Sequence, residues 1–134
     1  MIVLDENIGR DEWQKLVGMR IRTRHIGFDV GTKGLKDEQQ VLPWLHRHHG
    51  STFFTHDLGF FQQRFCHARY CLVVLDIPRQ EAAVSIKRFL RHSAFKSKSS
   101  RMGLAARLMQ RGIATYRLND IEGFVFWTAR GRRR

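Results

Sequence analysis

The sequence predicts an α/β fold built around a mainly parallel sheet, and three observations support this class. Segments with a strand pattern alternate with helical segments along most of the 134 residues. The run YCLVVLDI at 70–77 is apolar on both faces, which is typical of a strand covered by helices on either side. Pro78 follows it and is expected to start a helix, because the first turn of a helix tolerates proline. Such alternation favours parallel strands in a single sheet.

In the first half of the chain, apolar spacing and glycine define the elements. The predicted elements are a short buried strand at Ile2–Leu4, a helix at Asp11–Met19, a half-exposed strand at Arg20–Ile26, a loop at Gly27–Lys36 and a mostly helical segment at Asp37–His49. Pro43 disturbs the last segment, so its regular helix is expected to begin later than Asp37. Gly50 is expected to close it.

The second half is predicted to continue the alternation and to end in an antiparallel hairpin. Its predicted elements are a strand at Ser51–Phe54, a short helix at Leu58–Phe65, a strand at Tyr70–Ile77, a helix at Arg79–His92, a basic loop at Lys96–Ser100, a helix at Met102–Gln110 and strands at Ile113–Leu118 and Gly123–Thr128. Phe124 and Phe126 share one face of the last strand, which we expect to face the core. We expect one domain at 1–128 and a basic tail at 129–134.

Composition limits the classes of protein to consider. The chain is 43% hydrophobic, enough for a core without disulfides, and no stretch approaches the roughly 18 apolar residues that span a membrane. Asp5 and Glu6 interrupt the apolar start, and no basic region precedes it, so no signal peptide is expected. Cys66 and Cys71 do not form a secreted-type disulfide framework. We therefore expect a cytoplasmic protein without a membrane partner.

Charge is distributed unevenly along the chain. Lysine and arginine total 24 against 12 acidic residues, giving a net charge of +12, and no carboxylate lies between Glu81 and Asp120. Such an excess suggests a polyanionic partner such as nucleic acid; the alternatives are an anionic membrane surface, an acidic protein partner or a merely solvated surface. The residues that we expect to bind nucleic acid are Lys87, Arg88, Arg91, Lys96, Lys98, Arg101 and Arg107.

Several carboxylates are predicted to follow strands. Asp5 and Glu6 end the first strand, Asp57 follows another, and Asp37 and Glu38 lie where a loop enters a helix. The carboxyl ends of neighbouring parallel strands meet at one edge of a sheet, where functional groups gather. Carboxylates placed together remain ionised only beside a cation, and oxygen ligands select Mg²⁺ or Mn²⁺. Taken singly, Asp5, Asp37 and Asp57 can also be read as helix caps and Glu6 as a solvent-facing residue.

The segments IVLDEN, KDEQQVL and TFFTHD, in this order and spacing over the first ~80 residues, resemble the PIN-like nuclease domains, and most closely the small bacterial toxin-like group. The resemblance implies a three-layer α/β/α sandwich that cleaves RNA with Mg²⁺ or Mn²⁺. It makes Asp5 the first metal ligand, Asp37 or Glu38 the second and Asp57 the third.

The same resemblance makes Thr55 a supporting hydroxyl close to the metal-bound water. Related domains often carry another aspartate where this chain has Gly59. This departure puts a second metal ion in doubt, unless Glu6 or a water compensates.

We therefore expect a metal-dependent ribonuclease, the toxin of a toxin–antitoxin pair, in which Asp5, Glu38, Asp57 and Thr55 are catalytic. The expected partners are RNA and an antitoxin protein, and a homodimer is compatible with the sequence. A non-catalytic nucleic-acid-binding module with a degenerate PIN-like site and a DNA endonuclease remain the alternatives. Dependence of RNA turnover on divalent ions separates the first alternative from the leading interpretation.

Overall fold

The structure, a computed structural model, describes residues 1–28 and 38–127. Its strands there are β1 (Ile2–Leu4), β2 (Arg24–His25), β3 (Ser51–Thr55), β4 (Tyr70–Leu75), β5 (Leu104–Leu108), β6 (Gly112–Arg117) and β7 (Asp120–Phe126). Its helices are α1 (Arg10–Gly18), α2 (Glu38–Arg47), α3 (Ala82–Arg91) and the short α4 (Lys98–Arg101). Single 3₁₀ turns occur at Leu58–Phe60, Gln63–Phe65 and Arg79–Glu81.

All seven described strands belong to one sheet, in the order β2-β1-β3-β4-β5-β6-β7. The strands β1 to β5 run parallel to one another, whereas β6 pairs antiparallel with both β5 and β7. The prediction of an α/β protein with a mainly parallel sheet is confirmed.

Alternate residues of the central strands pack into two separate cores. Leu4, Phe54 and Val73 pack on one face of the sheet with side chains from α1 and α3. Their neighbours Val3 and Phe53 pack on the other face with side chains from α2. Burial on both faces explains why β3 and β4 consist entirely of buried residues. The arrangement is compatible with a sandwich.

The segment predicted as a helix at Met102–Gln110 is instead β5, and this prediction was wrong. Its sequence LAARL contains no β-branched residue and favours a helix locally. It becomes a strand because β4 pairs with it on one side and β6 on the other. Pairing with neighbouring strands overrides local propensity.

Other boundaries also differ from the predictions. Of the strand predicted at Arg20–Ile26, only Arg24–His25 pairs with β1. The helix predicted at Leu58–Phe65 is replaced by two 3₁₀ turns, and α4 begins within the predicted loop at Lys96–Ser100. Helix α2 continues through Pro43.

Phe124 and Phe126 do not face the core as predicted. The two residues are 44% and 57% exposed, whereas Val125 and Trp127 pack against the core that contains Leu4, Phe54 and Val73. The alternation of side chains along the strand was predicted correctly, but the face that was expected to be buried is the exposed one. The predicted tail at 129–134 lies outside the described residues.

Candidate active site at the carboxyl edge of β1 and β3

The carboxyl ends of β1 and β3 meet at one edge of the sheet. Leu4 is in register with Phe54, and the main-chain N–H of Asp5 donates to the carbonyl oxygen of Phe54 at 2.9 Å. Asp5 and Thr55 therefore lie side by side. The pairing of β1 with β3 brings them together, and neither local sequence predicts this contact. The apolar strand β1 thus ends on a buried carboxylate whose hydrogen-bond partners include Thr55 at the end of β3.

The Asp5 carboxylate is almost fully enclosed, with 2% of the residue exposed. Its Oδ2 accepts hydrogen bonds from the Thr55 hydroxyl at 2.6 Å and from Asn7 Nδ2 at 3.2 Å. Its Oδ1 accepts from the Glu6 main-chain N–H at 2.7 Å. These donors fix the orientation of the carboxylate.

Burial raises the pKa of Asp5 from its ordinary value of 3.8 to about 6. The hydrogen bonds from Thr55 and the Glu6 main chain act in the opposite direction and lower this pKa, while the negative charges of Glu6 and Asp57 raise it further. A carboxylate in such surroundings is stabilised by any cation that approaches it.

The Thr55 hydroxyl connects three residues of this edge. Besides donating to Asp5, it accepts from Asn7 Nδ2 at 3.1 Å and from the Asp57 main-chain N–H at 3.0 Å. Thr55 is itself fully buried. It therefore holds Asp5 in place and also positions the main chain at Asp57.

Asn7 is a site residue that the sequence analysis missed. Its Nδ2 bridges Asp5 and Thr55, and its Oδ1 accepts from the His56 main-chain N–H at 3.1 Å. The signal was present, since an amide side chain two residues after a buried aspartate can turn back to it. Asn7 joins the chain segments that follow β1 and β3.

His56 and Arg79 complete the described surroundings of Asn7. The His56 ring is half-buried, and burial lowers its pKa. Its Nδ1 lies 3.0 Å from the carbonyl oxygen of Leu75, the last residue of β4, so Nδ1 carries the proton and donates. The guanidinium of Arg79 donates to the carbonyl oxygen of Asn7 at 2.9 Å. A cavity of about 330 Å³ beside Asn7 is lined in part by Gly9, Glu12 and Arg79.

Asp57 is exposed and caps a 3₁₀ turn, as the alternative interpretation of this residue expected. Its Oδ1 accepts from the Gly59 main-chain N–H at 2.9 Å. Its charge nevertheless acts on Asp5, and its main chain shares the Thr55 hydroxyl with Asp5. The structure therefore brings Asp5, Thr55 and Asp57 together.

The other predicted ligands do not complete a metal-binding group with them in the described part of the chain. Glu6 is exposed beside Asp5, Glu38 begins α2, and Asp37 lies outside the described residues. Among residues 1–28 and 38–127, no group of three or more His, Cys, Asp or Glu side chains is arranged to hold a metal ion. The described residues alone do not form a complete metal site, and Mg²⁺ or Mn²⁺ stays a prediction.

Two of the predicted phosphate-binding arginines have structural partners instead. Arg101 is 8% exposed, and it donates to Thr52 Oγ1 and to the carbonyl oxygen of Phe95, each at 2.9 Å. Arg107 donates twice to Asp76 Oδ2, at 2.9 and 2.6 Å. Arg101 is therefore buried in the fold and we no longer assign it to nucleic acid, whereas Arg107, whose side chain is 37% exposed, stays a candidate although it is paired with Asp76.

The other predicted basic residues lie on the surface. Lys87, Arg88 and Arg91 of α3 line a groove of about 450 Å³ together with Val84, His92 and Trp127. The Arg88 guanidinium lies 4.3 Å from the centre of the Trp127 ring. Lys96 and Lys98 are exposed just before and within α4. These five cations stay candidates for phosphate contacts.

Within the described residues, no helix has the length and apolar character needed to cross a membrane. Comparisons of the chain with family models, with curated proteins and with solved structures give no match.

Proposed function

We propose that this protein is a metal-dependent ribonuclease of the PIN-like class and the toxin of a toxin–antitoxin pair. One observation carries the proposal. A buried aspartate with a raised pKa, Asp5, is held by Thr55 and Asn7 at the carboxyl edge of a parallel sheet, with Asp57 beside it. Perturbed carboxylates at this edge are typical of catalytic sites.

In this proposal Asp5 and Asp57 contribute ligands to Mg²⁺ or Mn²⁺. Because the described residues do not complete a metal site, further ligands have to come from Glu6, from Asp37 or Glu38, or from water. A bound divalent ion lowers the pKa of a coordinated water and offsets charge on the phosphate. Thr55 and Asn7 hold the Asp5 carboxylate in one orientation, so that its reorganisation on ion binding is small.

The basic surface supports RNA as the substrate. Lys87, Arg88 and Arg91 lie on α3, whose N-terminal region is tied to the Asp5 edge through a hydrogen bond from the Ala83 N–H to Glu12. Such cations bind phosphates without reading sequence. An acidic antitoxin segment would compete with RNA for the same side chains.

The test is cleavage of end-labelled single-stranded RNA by purified protein in Mg²⁺, Mn²⁺ or EDTA. We expect cleavage in the metal ions, none in EDTA and none with Asp5→Asn. The matched control is Glu122→Gln, which neutralises an exposed carboxylate on β7 and should cleave like the wild type. Wild-type cleavage by Asp5→Asn, or undiminished cleavage in EDTA, contradicts the proposal. A DNA substrate in parallel tests the DNA endonuclease alternative.

A non-catalytic nucleic-acid-binding module is the second candidate, and a specific observation favours it. The described carboxylates do not form a group of three, and Gly59 stands where related domains often carry an aspartate. For this candidate, RNA binds in EDTA and remains intact in Mg²⁺ and Mn²⁺.

A further inference from the structure

A cavity of about 520 Å³ lies at the same edge of the sheet as Asp5, toward β7. The described residues that line it are Asp76, Met109, Gln110, Arg111, Phe124 and Phe126. Asp76 directly follows β4, and residues 109–111 follow β5, so the cavity opens at the carboxyl edge of the parallel strands. With strands spaced about 4.8 Å apart, the distance from β3 to β5–β7 is about 10–20 Å. A short single-stranded nucleic acid can therefore reach from the cavity to the Asp5 site.

Two exposed aromatic rings form one wall of this cavity. The centres of the Phe124 and Phe126 rings are 4.9 Å apart in an edge-to-face arrangement. They lie opposite Ala114 and Gly112 of β6, whose small side chains leave room above that strand. A Cβ atom at Gly112 would lie 2.3 Å from the carbonyl oxygen of Val125 and 2.8 Å from Phe124 Cζ, so glycine is required for this close approach of β7 and its ring.

The remaining walls are held by hydrogen bonds from well-packed residues. Trp127 Nε1 donates to the carbonyl oxygen of Met109 at 2.7 Å, and the Trp127 N–H donates to that of Arg111 at 3.2 Å. Asp76 is paired with Arg107, so the negative charge of its carboxylate is compensated. The cavity is therefore preformed, apolar on the aromatic side and supplied with polar groups opposite.

We propose that Phe124 and Phe126 form a stacking site for the bases of single-stranded RNA. Base–aromatic stacking does not depend on sequence, and Gln110 and Arg111 offer hydrogen-bond donors to base edges or phosphates. The net charge of +12 favours a polyanion over an uncharged occupant. The choice of RNA rests on the proposed function, and the position at the catalytic edge places bound bases along the path to Asp5.

The test is fluorescence anisotropy of short labelled oligouridine with the full-length protein in EDTA, where no cleavage is expected. The variant Phe124→Ala/Phe126→Ala should bind about five- to 100-fold more weakly, the range expected for loss of stacking. The dependence of affinity on salt should keep the wild-type slope, since no charge is removed. The control Phe28→Ala removes an exposed aromatic ring near β2 and should bind like the wild type.

Further ligands distinguish base stacking from phosphate binding at this site. Abasic ribose-phosphate oligomers and double-stranded RNA should bind wild type and double variant equally, because neither presents free bases. Single-stranded DNA, measured in parallel, shows whether the site distinguishes the two sugars. Circular dichroism of each variant checks that the sheet is intact.

Equal weakening by Phe28→Ala, or an equal loss of abasic oligomer binding, overturns the proposal. Unchanged RNA affinity of the double variant also overturns it. If the same variant converts a wild-type dimer to a monomer, the two rings contact a second copy of the chain instead. Because binding is measured without turnover, its result is independent of whether Asp5→Asn abolishes cleavage. The stacking site and the ribonuclease proposal can therefore fail separately.

Discussion

The Thr55 hydroxyl donates a 2.6 Å hydrogen bond to Asp5 Oδ2, joining two residues that are 50 positions apart in the chain. Both residues are buried at the exits of adjacent parallel strands. The hydroxyl also accepts a hydrogen bond from the main-chain N–H of Asp57, so one side chain links the buried Asp5 to the exposed Asp57. We therefore expect this contact to influence both the stability of the fold and the titration of Asp5.

Replacing Thr55 by valine should destabilise the protein by about 1–3 kcal/mol, because buried donors lose their acceptor while the side-chain shape is kept. The pKa of Asp5 should also rise further, since the Thr55 hydrogen bond lowers it. Urea unfolding and NMR titration of the Asp5 carboxyl group measure the two effects. Thr55→Ser keeps the hydroxyl and should leave this pKa near its wild-type value. An unchanged pKa in Thr55→Val would contradict the assigned role.

The raised pKa of Asp5 predicts a specific pH dependence of stability. Between the unfolded value of 3.8 and the folded value of about 6, the folded state binds more protons than the unfolded state. The contribution of Asp5 to the free energy of unfolding therefore falls as pH rises through this window, by up to about 3 kcal/mol, and is constant above it.

Asp5→Asn lacks this titration and should show a flatter stability profile between pH 4 and 7. Urea unfolding of both proteins in EDTA across this range measures the difference. Parallel profiles would mean that Asp5 titrates at its ordinary value.

Glu12 should matter for stability because it belongs to α1 and its hydrogen-bond partner Ala83 lies in the first turn of α3. It is 3% exposed, and its Oε1 accepts from the Ala83 N–H at 3.0 Å. Glu12→Ala leaves that buried donor unsatisfied and should cost about 1–3 kcal/mol. Thermal and urea unfolding provide the measurement. The exposed neighbour Gln14→Ala is the control and should change stability by less than about 0.5 kcal/mol; equal effects of the two variants would argue against the contact.

Arg101 and Lys96 should respond in opposite ways to substitution. Arg101→Ala removes the hydrogen bonds to Thr52 and Phe95 and should cost about 1–3 kcal/mol of stability. The exposed Lys96→Ala should change stability by less than about 0.5 kcal/mol while weakening RNA binding. Unfolding and RNA titrations should be done on both. An Arg101→Ala protein that is fully stable but deficient in RNA binding would restore Arg101 to the interface.

Gly59→Asp should strengthen Mn²⁺ binding several-fold by adding a carboxylate next to Asp57. The backbone of Gly59 is outside the left-handed region, and a Cβ there would lie 3.1 Å from Asp57 Oδ1, so a small shift of that side chain accommodates it. Isothermal titration calorimetry measures the affinity, with Gly18→Asp on α1 as the control for added charge. Equal affinities of the two variants would show that a carboxylate at position 59 does not reach the metal ion.

Much of the fold could be predicted because its signals are local. Continuous apolar character identified β4, and apolar spacing identified α1 and α3 within a few residues of their observed starts. The strand β5 could not be identified in this way, since LAARL is a good helical sequence and becomes a strand only between β4 and β6. For Phe124 and Phe126 the strand was expected, but its exposed face was not.

The sequence by itself determined the α/β class, the excess of positive charge and the placement of Asp5 and Asp57 after strands, because composition and periodicity act within a few residues. The tertiary structure decided which strand ends meet, and therefore that Thr55 and Asn7 hold Asp5. It also decided that Arg101 is buried, that Arg107 pairs with Asp76 and that two phenylalanines face outward. Strand order and burial depend on contacts between distant segments, and no local pattern specifies those contacts.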